Sequence, residues 1–149
     1  MDTYERPVPP PPLSPPELLG IVRDIARDLN LWRGRLAHAA EEAGRHWVPV
    51  FHSDHVGVWA MDWSRLPAGS DGGLEHRDAR GAVWVAQGLL RHLRTGPALT
   101  PVASTLAEGD GFWFDESCRH RMRPDPSAGP TLTLHAFSPA AAQTPPLLP

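Results

Sequence analysis

At 149 residues, with hydrophobic residues at 41%, the chain has the size of one domain and can bury a single core, so no second domain is required. No apolar run approaches the roughly 18 to 20 residues a membrane-spanning helix needs, and the opening MDTYERPVPPPP places acids and prolines where a secretory leader has a basic start; a cytoplasmic protein without a membrane partner is expected. A net charge of −3 spread over interspersed acids and bases leaves no basic stripe for nucleic acid, and the absence of lysine removes Schiff-base chemistry. Cys118 is the sole cysteine, so there is no intrachain disulfide and no thiolate cluster for zinc. Any metal must rest on nitrogen and oxygen ligands.

Along the chain, prolines mark both ends, and residues 1–15 and 140–149 read as disordered tails around one domain at 16–139. Ser14-Pro15-Pro16-Glu17 is a helix start, with Ser three residues ahead of Glu and proline in the first turn. Leu18, Leu19, Ile21, Val22, Ile25, Ala26 and Leu29 follow at helical spacing, which predicts an amphipathic helix over 16–30. Trp32, Leu36 and Ala40 share a face of a second predicted helix over 31–43, with Gly44 as its stop. From residue 46 the texture changes to short β-type runs at 47–51, 56–61, 82–86, 111–114 and 131–135, separated by Gly, Pro and Asp. The chain is therefore mainly β, a sandwich or barrel behind two N-terminal helices.

That order carries a resemblance. Leu31-Trp32-Arg33 closing the helical segment, Val58-Trp59-Ala60-Met61-Asp62-Trp63, then Gly81-Ala82-Val83-Trp84-Val85-Ala86-Gln87-Gly88 resemble successive segments of cysteine dioxygenase-like cupins. Gly109-Asp110-Gly111 and His120-Arg121-Met122-Arg123-Pro124 are similar to the family's second motif, and Leu134-His135-Ala136-Phe137-Ser138-Pro139 to its last strand. The resemblance implies a cupin-type β-barrel (jelly roll) over 46–139 and a mononuclear iron held by three histidines. It also leaves room for a homodimer through paired barrels. Anchored on Gly81, the family's His-x-His pair falls on Leu74-Glu75-His76, so one ligand position is leucine, while His120 matches the third. The family's Ser-x-His-x-Tyr relay falls on Thr133, His135 and Phe137, which keeps a hydroxyl and the imidazole and loses the phenol. The arginine that binds the substrate carboxylate would fall near Val48 or Pro49 and is absent.

The residues themselves leave several outcomes open. Residues two apart on a strand share a face, so Leu74, His76 and Asp78 point together, and His76, Asp78 and His120 form a two-histidine, one-carboxylate set suited to Fe(II). The alternatives are two histidines completed by water or another ligand, and a barrel with no physiological metal. His135, oriented by Thr133, is the candidate for second-sphere or acid/base work; its plainer reading is a hydrogen-bonded core residue. Leu74, Phe137, Trp84 and Trp63 are candidates to line a substrate pocket, although strand tryptophans mostly fill cores. Cys118 reads as a small buried hydrophobe on the strand face of His120, and Glu75 and Glu116 as ion-paired or solvated. His46, His52, His55 and His92 read as exposed. Two functions follow: an iron oxygenase or tailoring enzyme acting on a small molecule other than free cysteine, or a metal-poor cupin that binds a small ligand or catalyses a redox-neutral cyclisation or isomerisation.

Overall fold

The computed structural model describes residues 12–28, 34, 47–63, 74–76, 80–95, 102–125, 127 and 129–138. Among these residues a helix, α1 (Pro15–Arg27), precedes the strands β1 (Trp47–His52), β2 (Gly57–Asp62), β3 (Leu74–His76), β4 (Arg80–Gln87), β5 (Leu89–Thr95), β6 (Val102–Ala107), β7 (Gly111–Phe114), β8 (Arg119–Pro124) and β9 (Leu132–Ser138).

The helix starts where the sequence predicts. Ser14 and Glu17 form a reciprocal capping box, with prolines in the first turn. Glu17 at the N-terminal end and Arg27 at the C-terminal end both complement the helix dipole. The helix closes earlier than its apolar pattern suggests, because Asp28 leaves helical geometry and its N–H caps the carbonyl of Ile25. The predicted second helix lies outside the described residues, except for Gly34, which is helical. The tails 1–11 and 139–149 lie outside them as well. No helix among the described residues is long and apolar enough to cross a membrane.

The strands form two antiparallel sheets, ordered β1-β2-β9-β4-β7 and β3-β8-β5-β6. Pairing is nested: β2 with β9, β3 with β8, β4 with β7 and β5 with β6, successive pairs alternating between sheets. A long hairpin rolled up in this way is a jelly roll. The expected closed barrel is not what the described residues form. Hydrogen bonding runs out at β1 and β7 in one sheet and at β3 and β6 in the other, leaving two faced sheets.

The central strands of the first sheet, β2, β9 and β4, are largely buried on both faces, which is why they read as near-continuous apolar runs. On one face Leu18 and Val22 of α1 pack on Val58, Ala60, Ala82, Leu134 and Ala136. On the other, Met61, Trp63, Val83, Val85, Phe114 and Phe137 meet Leu90, Met122 and Cys118 from the second sheet's side. Fully burying each such aliphatic or aromatic side chain contributes roughly 1.5 to 3 kcal/mol, so both apolar layers stabilise the fold. The second sheet is half solvated. On β8, Arg119, Arg121 and Arg123 are exposed while His120 and Met122 are buried, the alternation of a strand with one wet face.

Candidate functional site

Register across the second sheet assembles the site in two rows. His76 on β3 and Arg94 on β5 both stand directly across from His120 on β8. One step along, Leu74 and His92 stand across from Met122, and Ser104 on β6 stands across from His92. Directly opposed residues in antiparallel strands point to the same face with Cβ atoms about 4.5 to 5.5 Å apart. The backbone register therefore sets position 76 directly opposite His120. Asp78 lies outside the described residues. Among those residues no group of three or more His, Cys, Asp or Glu side chains gathers, so a third protein ligand would have to come from elsewhere in the chain.

His120 is fully buried, and its ring is walled by Phe114 at a centroid distance of 4.4 Å and Phe112 at 5.5 Å. Its Nδ1 lies 2.7 Å from Nε2 of His92. His92 is 7% exposed, which corrects the expectation that it faces solvent. Its arginine neighbours suggested exposure, but the period-two alternation of β5 puts Leu90 and His92 on the buried face and Arg91 and Leu93 on the wet one. The His92 ring stacks on Phe112 at 4.0 Å and 24°, and its Nδ1 lies 3.4 Å from Oγ of Ser104. Burial, reinforced by the Arg94 guanidinium, pushes the His92 pKa down to about 4, so this imidazole is neutral at pH 7.

Facing this from the first sheet is a second buried polar chain. Nε1 of Trp63 donates to Oγ1 of Thr133 at 2.9 Å, and Oγ1 lies 2.6 Å from Nε2 of His135. The Thr133 hydroxyl can donate to a bare Nε2 or accept from a protonated one, so it can satisfy that nitrogen in either protonation state of the ring. Phe137 lies on the same face of β9, fully buried, and its ring is edge-on to Phe114 at 6.5 Å. The structure thus brings Thr133, His135, Trp63 and Phe137 to the space between the sheets. Trp84 does not join them. It packs with the α1-facing cluster on the opposite face of β4, so it stands apart from the other pocket candidates.

Cys118 is buried, but in the turn before β8 rather than on the strand. Nη2 of Arg94 donates to its Sγ at 3.2 Å, which turns the guanidinium toward the inter-sheet side of β5. Glu116 pairs with Arg80 at 2.6 Å, as expected of a surface carboxylate. His52 and His55 are exposed, and His46 lies outside the described residues. Sequence reasoning missed His92 and Arg94 because both belong to β5, a strand whose arginines hide its alternation.

No family model and no curated protein matches the chain. Similar solved structures include an Fe(II) form of HppE, at 12% identity and a TM-score of 0.48, covering 61% of this chain and 49% of that one. The hydroxypropylphosphonic acid epoxidase from S. wedmorenis gives 11%, 0.48, 61% and 49% in the same order. Oxalate decarboxylase from Bacillus subtilis, with Mn(II) centres, gives 16%, 0.48, 60% and 22%. The chain therefore spans about half or less of the length of these proteins. At such scores the likeness assigns no function, and the jelly-roll fold rests on the nested strand pairing.

Proposed function

We propose that this chain is a cupin-like metalloenzyme of the thiol dioxygenase type, altered at its site, that holds one divalent metal ion on His76 and His120 and acts on a small molecule other than free cysteine. The observation that carries the reading is the register that sets His76 directly across from His120. With Nδ1 of His120 beside His92, a metal bond from His120 would run through Nε2. Asp78 is the proposed third ligand. Fe(II) is the preferred ion for a set of two imidazoles and one carboxylate, and bound there it would supply Lewis acidity and one-electron chemistry with dioxygen.

The chain's own residues do the rest. His135 holds or releases a proton, with Thr133 bridging to the Trp63 indole so that Nε2 stays hydrogen-bonded as the charge changes. Arg94, exposed and directly across from His120, presents a cation beside the ligand pair, which suits a substrate with an anionic group. In protein loaded with Co(II), mercaptoacetate should bind about tenfold or more tighter than 2-mercaptoethanol, and Arg94→Met should erase the difference. Equal binding of the two thiols by the unmodified chain would remove Arg94 from substrate recognition.

A second reading, a metal-poor jelly roll that binds an apolar ligand, is favoured by the packing: His120 and His135 are both fully buried, His120 against the rings of Phe112 and Phe114. Elemental analysis after anaerobic loading with Fe(II) and removal of excess separates the two. The metalloenzyme reading expects about one iron per chain, lost in both His76→Ala and His120→Ala. No retained metal in the unmodified chain would leave the second reading.

A further inference from the structure

We infer that His92 is a positioning residue, which holds His120 as the tautomer with its proton on Nδ1 and its lone pair on Nε2, ready for a metal before any arrives. The inference rests on the metalloenzyme reading, which takes His120 as a ligand.

The geometry confines the pair to few states. Two imidazoles whose nitrogens lie 2.7 Å apart share one hydrogen bond, so one ring donates and the other accepts. If His92 donated from Nε2, His120 would accept at Nδ1 and its own proton would sit on Nε2, where it blocks a metal bond. If His120 donates from Nδ1, its lone pair is on Nε2, and His92 carries its proton on Nδ1, beside Oγ of Ser104. Ser104 lies on an exposed strand, so its hydroxyl can accept from His92 while water satisfies its own hydrogen. The chain Nε2-bare His120 to His92 to Ser104 is then donor to acceptor throughout. Outer-shell acceptors of this kind fix the tautomer and ring plane of a ligand and raise its basicity.

Packing fixes the acceptor as firmly as the bond does. Phe112 stacks on His92 at 4.0 Å, and the two histidine rings are nearly parallel, at 14° and 4.9 Å. Neither ring can turn far without displacing Phe112. His92 thus links the sheet's wet edge at Ser104 to the buried ligand, a role that no surface histidine could fill.

The test is long-range 1H–15N NMR of the histidine rings in metal-free, full-length protein, followed by Co(II) titration of the same samples. His120 should be protonated on Nδ1 with Nε2 bare, and His92 protonated on Nδ1. In His92→Phe, which keeps the stack on Phe112 and removes the acceptor, the His120 proton should redistribute to Nε2, and Co(II) affinity should fall by about 10- to 100-fold. His92→Gln, whose amide oxygen can accept from Nδ1, should recover most of that loss. A His120 ring already protonated on Nε2 in the unmodified chain would overturn the inference, as would a His92→Phe variant with unchanged tautomer and affinity. Where the tautomers are as stated and the unmodified chain takes up no Co(II), the hydrogen-bond assignment stands and the metalloenzyme reading falls.

Discussion

Gly81→Ala should destabilise the protein by on the order of 3 kcal/mol, measured by urea denaturation. An alanine Cβ there would stand 2.6 Å from the backbone oxygen of Ala136 and 2.7 Å from Cζ of Phe114. The first neighbour cannot yield cheaply, because β9 is hydrogen-bonded on both sides, to β2 and β4. The second is part of the wall around His120. The glycine that anchors the sequence resemblance therefore has a steric cause: β4 and β9 approach closely at the level of the site. Gly20→Ala supplies the control. Its Cβ meets only the Nη2 of Arg23, at 3.8 Å, inside α1, so this change should stabilise by up to about 1 kcal/mol. Losses of similar size at both positions would contradict the packing described.

The second large effect is acid sensitivity through His92. Its pKa is near 6.5 in the unfolded chain and about 4 in the folded one. As pH falls below about 6.5, the unfolded state takes up a proton that the folded state refuses, so stability is lost between about pH 6.5 and 4. The full loss is on the order of 3 kcal/mol. Asp115, Asp125 and Glu116 act in the same direction at lower pH, because hydrogen bonds from Ser117, Ser127 and Arg80 hold their pKa values below the usual range. His92→Phe separates the contributions. In metal-free protein the variant should lose markedly less stability than the unmodified chain from pH 7 to 4, whereas parallel curves would mean that His92 ionises freely in the fold.

How much of this was legible depended on which face of a strand was wet. α1 could be read from Ser14 and Glu17 because a capping box is local chemistry. β2, β4 and β9 could be read because they lie at the centre of the first sheet, where burial on both faces writes runs such as Val58 to Met61. β5 and β6 could not. β5 carries Arg91 and Arg94 among its apolar residues, β6 is largely exposed, and neither offers a hydrophobic run. His92 was lost with them, although Leu90 and His92 at a spacing of two were the signal. The Thr133 to His135 contact followed from spacing alone. That Trp63 reaches Thr133 while Trp84 faces α1 did not, since both statements need the register of strands far apart in sequence.

A crystal structure of the Co(II)-loaded protein, with the metal located by its anomalous signal, tests the proposed metal site directly. One ion should lie between β3 and β8, about 2.0 to 2.2 Å from a ring nitrogen of His76 and from Nε2 of His120. An ion bound elsewhere, or no ordered ion between these strands, would contradict it.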